Sequence, residues 1–412
     1  MARTLNVYLD HDLVGQLIQD DGGQMLFEYA ESWRDDPDTI ALSRSLPKRE
    51  ESFRQKECRG FFGGILPEEG NRRTIAKILG ISAKNDFAML EQIGGECAGA
   101  VTFLPEGAAP PGDDDRYRDL DETELAKILR ELPRRPLMAG EDGIRLSLAG
   151  AQDKIAVRLD NGKISIPRGS APSSHILKPA IATFAGVVFN EAFCLALARE
   201  IGLDAAPATI ARTEDIDYLL VERFDRHPGE EDKIARLHQE DFCQALGIPS
   251  EIKYQGEGGP SLADCFTLLR ETSDAPVVDL RALLDAVLFN LIIGNHDAHA
   301  KNFSLLYLPD RSMRLAPLYD LVCTVFYPEL TKKMAMKIGG EAKSNLVLPK
   351  HVARFAKNAG LAVPLTLARV AALAKALSAA IPDIEKPHEI SEQVAAVIVE
   401  RAESFVHRFK KA

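Results

Sequence analysis

The sequence has no closely spaced cysteine pair, no uninterrupted apolar run long enough to cross a bilayer, no excess of basic charge and no internal repeat. Its six cysteines, Cys58, Cys97, Cys194, Cys243, Cys265 and Cys323, form no C-x-x-C pair and mostly sit beside apolar residues. That argues against a disulfide framework and predicts buried free thiols in a reducing cytosol. The two richest apolar stretches are Leu280 to Ile293, interrupted by Arg281 and Asp285, and Val363 to Ile381, interrupted by Arg369 and Lys375. Neither reaches the ~18 uncharged residues of a membrane span, so no membrane association is expected. Asp10 and Asp12 fall where the apolar core of a signal peptide would lie. Fifty Lys+Arg stand against 61 Asp+Glu, a net charge of −11, which disfavours a dedicated nucleic-acid binder. What is present is ordinary for a globular protein: 46% hydrophobic and 27% charged residues over 412 positions. At ~150 residues per domain this allows two or three domains, with cores large enough to need no staples.

The first hundred residues are strand-rich. Leu5, Val7 and Leu9 alternate, Asp10-His11-Asp12 makes a polar turn, and Val14 to Leu17 resumes, a hairpin pattern. Apolar patches recur at Ile40 to Leu46 and Val101 to Leu104, and Arg72 to Leu79 predicts a short helix. Pro105 to Asp115, rich in Pro, Gly and Asp, reads as a linker. Asp121-x-x-Glu124 opens a helix with a capping box, followed by the stripe Leu125, Ile128, Leu129, Leu132. From Leu146 to Phe224 strands at 155–159, 164–167, 176–178 and 219–223 surround a helix at 190–201. After Leu237 the pattern is helical, except for a hairpin-like insertion at Phe303 to Leu318 around Pro309-Asp310-Arg311.

The sharpest segment is Gly294-Asn295-His296-Asp297-Ala298-His299-Ala300-Lys301-Asn302, placed between an apolar helix and that hairpin. Phosphoryl transfer needs a carboxylate to orient or deprotonate the attacking hydroxyl and an oxygen ligand for Mg²⁺. The D-x-x-x-x-N spacing of Asp297 and Asn302 supplies both from one turn, and Asp320, after the hairpin, offers a second metal-binding oxygen. The plainer reading makes Asp297 and Asn302 turn and cap residues. A zinc hydrolase reading of His296 and His299 is weaker, because the strong helical signal is H-E-x-x-H. Three further segments carry meaning only together. Arg145 to Lys154 places small residues between two strands, where backbone N–H groups can approach an anion. Lys178 ends a strand and Glu191 opens the following helix, the arrangement of a kinase phosphate-binding pair, although each also fits as a surface lysine and a first-turn acid. Val221 to Asp225 runs from a strand into the helical half, as the connector of a two-lobed kinase does.

These segments, in this order, resemble the HipA family of bacterial serine/threonine kinase toxins. The N-terminal part is similar through Leu5 to Leu9, Leu42 to Pro47, Phe61 to Glu68 and Gly94 to Ala100. The rest is similar through Ser147 to Lys154, Ile176 to Pro179, Asn190-Glu191, Val221 to Arg226, Gln239 to Asp241, Lys253-Tyr254 and Asp297 to Phe303, and the run 299–304 is especially specific. His296 stands where the best-known member has Thr, and Asp153 replaces the more usual Glu before Lys154.

The resemblance implies an α/β (α+β) two-lobed kinase-like fold: a strand-rich N-terminal subdomain at 1–104, a mixed kinase N-lobe at 114–226 and an all-α C-terminal lobe at 227–412. It implies ATP and Mg²⁺ as cofactors, Asp297 as catalytic base, and Asn302 and Asp320 as metal ligands. Ala149, Gly150, Ala151, Gln152 and Lys154 would cradle the phosphates and Lys178 would contact them. Glu222 and Phe224 would present backbone to adenine, His299 and Lys301 would complete the nucleotide set, and Ser147 would be the autophosphorylation site. The implied substrate is an aminoacyl-tRNA synthetase, glutamyl-tRNA synthetase first, with translation arrest and persistence as the outcome. The implied partner is a HipB-like helix-turn-helix antitoxin through which DNA is bound. The alternative is an antitoxin-bound corepressor with weak kinase activity; the intact Lys178, Asp297, Asn302 and Asp320 favour the enzyme.

Overall fold

A computed structural model describes residues 2–108, 116–181, 183–229 and 233–410. Most of the expected linker, from residue 109, lies outside them. The chain forms two compact units, Met1–Pro179 with Ala211–Glu251 and Leu306–Arg311, and Ala180–Ile210 with Ile252–Leu305 and Ser312–Ala412.

The first unit begins with the expected hairpin. Strand β1 (Arg3–Leu9) pairs antiparallel with β2 (Asp12–Gln19), and β3 (Met25–Tyr29), β4 (Phe53–Arg54) and β5 (Val101–Pro105) complete a sheet in the order β4-β3-β2-β1-β5. Alternation buries Leu5, Val7, Val14, Leu17 and Phe27 on one face, against Phe61 and Phe62 of helix Gln55–Gly64. The patch at Ile40 to Leu46 is buried only in part and forms no strand beyond a Ser43–Leu46 bridge. A second sheet of β6 (Tyr117–Asp119), β7 (Ile155–Asp160), β8 (Lys163–Pro167), β9 (His175–Pro179), β10 (Ala208–Thr213) and β11 (Ile216–Glu222) runs in the order β10-β11-β9-β7-β8-β6. Helix Glu122–Glu131 starts at the capping box read from sequence: Asp121 accepts from Glu124 N at 2.8 Å, and Glu124 accepts from Asp121 N at 3.1 Å.

Beyond Leu237 the expected helix gives way to a short strand, Gln239–Asp241, and a four-residue helix, Phe242–Ala245. Glu240 holds this stretch in the first unit. Its carboxylate is buried and accepts from Ser43 Oγ, from Arg44 N at 2.9 Å and from Tyr307 OH at 2.6 Å.

The second unit is mostly helical: Val187–Glu200, Leu262–Thr272, Pro276–Ile293, Pro349–Asn358, Val363–Ala380 and Glu389–Phe409, with the short strand Met313–Leu315 and the first two residues of strand Ser304–Tyr307. Segment Val363–Asp383 is long and apolar enough to cross a membrane by length and composition. In the fold its face of Val370, Leu373, Ala374 and Leu377 is buried. Arg369 grips buried Asp285 of helix Pro276–Ile293 with two bonds of 2.6 and 2.8 Å, which builds the helix into the core of this unit. All six cysteines are buried and free, as their apolar neighbours suggested.

Candidate active site

Helix Pro276–Ile293 ends at Gly294, whose φ of +81° reverses the chain, and a Cβ there would lie 2.5 Å from Val325 Cγ2. Arg401 donates to the helix's last carbonyls, Leu291 O at 2.8 Å and Ile292 O at 2.9 Å. The polar loop is thus launched from a fixed end. Asn295 then organises it. Its Oδ1 accepts from Asp297 N at 3.1 Å, and its Nδ2 donates to Asn290 Oδ1 at 2.8 Å and to Asp320 O at 3.3 Å. Asn302 Nδ2 donates to Asp297 O at 3.3 Å. Asp297, Asn302 and Asp320 are thereby tied into one assembly. Asp320 has φ +51°, an uncommon region for a residue other than glycine, tolerated best by Asp and Asn.

Asp297 is exposed and accepts at Oδ1 from Tyr254 OH at 2.9 Å. The Tyr254 ring meets His299 edge-on, centroids 5.4 Å apart. Lys253-Tyr254 belongs to the family resemblance, but the sequence alone assigns it no role, since 43 residues separate Tyr254 from Asp297. His299 is buried, and burial, with Lys253 and Lys301 adding to it, holds its pKa well below the usual imidazole range despite Asp320. Its Nδ1 has no hydrogen-bond partner among the described residues. Lys301 is buried, and its carbonyl accepts from Tyr319 OH at 2.7 Å. His296 spends both ring nitrogens inside the protein, on Thr331 O at 3.1 Å and Ser344 Oγ at 2.7 Å, so it is a structural residue and a poor metal ligand. The oxygens of Asp320 and Asn302 suit a hard divalent cation such as Mg²⁺.

In the first unit, Ser147 is fully buried; its N donates to Glu96 O at 2.9 Å and its Oγ to Ile65 O at 3.1 Å. Ala149 to Lys154 form an irregular loop in which Gly150 O accepts from Glu68 N at 3.3 Å and Lys154 Nζ donates to Ala149 O at 2.8 Å. Ala151 is exposed, while Gln152 Nε2 is a buried donor without a partner among the described residues, which suits a loop built to receive an anion. Lys178 is buried on β9, between β11 and β7. Glu222 is exposed at the end of β11 and Phe224 is half-buried just beyond it. Glu191 is buried within helix Val187–Glu200 of the second unit, one turn later than the sequence suggested.

The second unit thus presents an exposed carboxylate beside a hydroxyl and oxygens suited to a hard cation, and the first unit presents a buried lysine on an inner strand. Residues 5–104 match the family described as HipA N-terminal domain, and residues 146–385 match the HipA-like C-terminal domain. Y4mE of Sinorhizobium fredii is 48% identical over 384 residues, covering 92% of this chain and 91% of that protein. The serine/threonine-protein kinase toxin HipA of Shewanella oneidensis is 29% identical over 92% of this chain and 89% of its own. The structure of the Shewanella oneidensis HipA, HipB and operator DNA complex contains a chain that superposes with a TM-score of 0.84 at 28% identity, over 99% of this chain and 97% of that one. The protein is a kinase, and the chain belongs to the HipA family of serine/threonine kinase toxins.

Proposed function

We propose that this protein transfers the γ-phosphoryl group of ATP to a serine or threonine of an aminoacyl-tRNA synthetase, glutamyl-tRNA synthetase being the first candidate, in the cytoplasm. The observation that carries this reading is the Asn295-centred assembly of Asp297, Asn302 and Asp320. Asp297 orients the acceptor hydroxyl and takes its proton as the oxygen attacks phosphorus. Asn302 and Asp320 would hold Mg²⁺, which when bound offsets the charge of the phosphates. On this reading Lys178, Lys154, Gln152 and the backbone of Ala149 to Ala151 bind the phosphate chain, and His299 and Lys301 are further nucleotide-binding residues. Glu222 and Phe224 present main-chain groups to adenine. On this assignment residues 1–104 form the N-terminal subdomain, 114–226 the kinase N-lobe and 227–412 the C-lobe, although residues 227–251 pack with the first unit and residues 180–210 with the second.

Phosphorylation of the synthetase would halt translation and favour persistence, and a HipB-like antitoxin would restrain the kinase and bring it to operator DNA. Ser147 is the autophosphorylation site and an off-switch, because a buried hydroxyl cannot gain a phosphate of roughly −1.5 to −2 charges without its loop leaving the core. The test is incubation of the protein with Mg-ATP and a purified glutamyl-tRNA synthetase, followed by phosphosite mapping. Phosphate on the synthetase supports the substrate assignment. Phosphate on Ser147 alone restricts the proposal to self-modification, and none on either overturns it.

A further inference from the structure

None of the roles above uses the run Gly94-Gly95-Glu96-Cys97-Ala98-Gly99-Ala100, yet it holds a buried carboxylate with six hydrogen bonds. Glu96 is 1% exposed. Its Oε1 accepts from Ser173 N at 2.9 Å, Ser173 Oγ at 2.8 Å, Arg223 Nη1 at 3.1 Å and Arg226 Nη2 at 2.8 Å. Its Oε2 accepts from Arg236 Nη2 at 2.9 Å and Nε at 3.3 Å. The same arginines reach the backbone of the run: Arg223 Nη2 donates to Cys97 O at 2.8 Å and Arg226 Nη1 to Gly99 O at 2.9 Å. Asp225 closes the network, accepting from Arg223 Nη2 at 2.7 Å and from Gly99 N at 2.6 Å.

These contacts anchor the side chains of Arg223 and Asp225, which flank Phe224, and so restrain the main chain between them. The backbone of Glu96 meanwhile grips the other nucleotide-facing segment. Its N donates to Arg145 O at 2.8 Å, and its O accepts from Ser147 N at 2.9 Å. The run can approach this closely only because residue 95 is glycine, since a Cβ there would lie 1.9 Å from Gly169 O.

We propose that Glu96 is a positioning residue for the nucleotide: its side chain fixes the main chain that meets adenine, and its backbone fixes the root of the phosphate loop. The proposal rests on the ATP reading above. A buried ionic network is seldom the most stabilising way to fill a core, so its presence beside a binding segment fits geometric control better than stability. Three arginines face two carboxylates here, with Asp10 3.6 Å from Arg236 at the rim, so loss of Glu96 frees the clamp and leaves an excess of positive charge.

The test is steady-state kinetics of the full chain with ATP and with GTP, on wild type, Glu96→Gln, Arg236→Lys and the double variant Glu96→Gln/Arg236→Gln, each checked for folding by circular dichroism. The proposal expects Glu96→Gln to raise KM for ATP by roughly tenfold or more, to lower kcat by less than about threefold and to reduce the preference for ATP over GTP. The double variant, with charge rebalanced, should recover part of the ATP affinity. A folded Glu96→Gln with the wild-type KM and the wild-type ATP/GTP ratio overturns the proposal. If Glu96→Gln does not fold, Arg236→Lys decides: it keeps the charge but loses the two-pronged grip on Glu96, and an unchanged KM and nucleotide ratio overturns the proposal equally. A wild type that binds no ATP overturns the underlying kinase reading, which is distinct from wild type and variant binding it alike.

Discussion

At the scale of single residues, the account turns on Asp297 and the groups that hold it. Asp297 is exposed and its main chain is tied into the loop, so Asp297→Asn should fold normally while losing ~10²–10⁴ in phosphoryl transfer. Retained activity with an unchanged melting curve would remove Asp297 from the mechanism. Tyr254→Phe deletes the 2.9 Å bond to Asp297 Oδ1 and nothing larger than an oxygen. A net hydrogen bond is worth about 1 kcal/mol, so turnover should fall roughly fivefold with KM for ATP unchanged. A rise in KM with constant turnover would place Tyr254 on the nucleotide instead. Asp297, Asn302 and Asp320 were legible in the sequence because their spacing lies within one loop and one hairpin. Tyr254, Asn295 and Glu96 were not given roles, because what they do depends on partners that only the tertiary fold brings near.

At the scale of elements, local signals that repeat were readable and those without a period were not. The β1–β2 hairpin and the Asp121 capping box follow from alternation and from a four-residue pattern. Asp121→Ala should cost about 1 kcal/mol of stability, measurable as a lower urea midpoint with unchanged slope, and no change would mean that the helix start is held by packing alone. Arg145, two residues before Ser147, is committed to main-chain carbonyls, donating to Glu91 O at 2.9 Å in the last turn of helix Asp86–Ile93 and to Phe103 O at 2.8 Å on β5. The Gln239–Asp241 strand is too short to announce itself, and its consequence is electrostatic. Burial drives the Glu240 carboxyl up from its ordinary 4.5 to about 7, against the hydrogen bonds from Ser43, Tyr307 and Arg44. Between those values the folded state holds a proton that the unfolded state has released, so stability falls as pH rises through this window. His238, pushed down by burial from 6.5 to about 4, acts in the opposite sense, since there the unfolded state binds the extra proton and stability rises with pH. The two offset each other up to about pH 6.5, above which Glu240 acts alone. Glu240→Gln removes its term. The stability of Glu240→Gln relative to wild type should therefore improve from pH 5 to pH 8 by about 3 kcal/mol in chemical denaturation. A difference independent of pH would contradict the buried, proton-holding carboxyl.

At the scale of the whole molecule, the likeness to a kinase toxin extends over both units, since the two family matches together span most of residues 5–385. The net charge of −11 suits a chain that reaches DNA through a partner. Gel shifts with operator DNA should therefore retain this chain only when a helix-turn-helix partner is present, and tight sequence-specific binding by the chain alone would contradict that arrangement. The fold class was legible because the order of the phosphate-loop, strand-lysine, connector and catalytic-loop segments is itself a topology. The assignment of residues 227–251 to the first unit was not, because it depends on Glu240, Arg236 and the side chains they meet. The central claim is Asp297-dependent phosphoryl transfer from ATP to a serine or threonine hydroxyl. Its most direct measurement is phosphosite mapping by mass spectrometry of wild type and Asp297→Asn, each incubated with Mg-ATP. The account predicts phosphate on Ser147 in the wild type and none in Asp297→Asn; equal phosphorylation of the two proteins, or none in either, would contradict it.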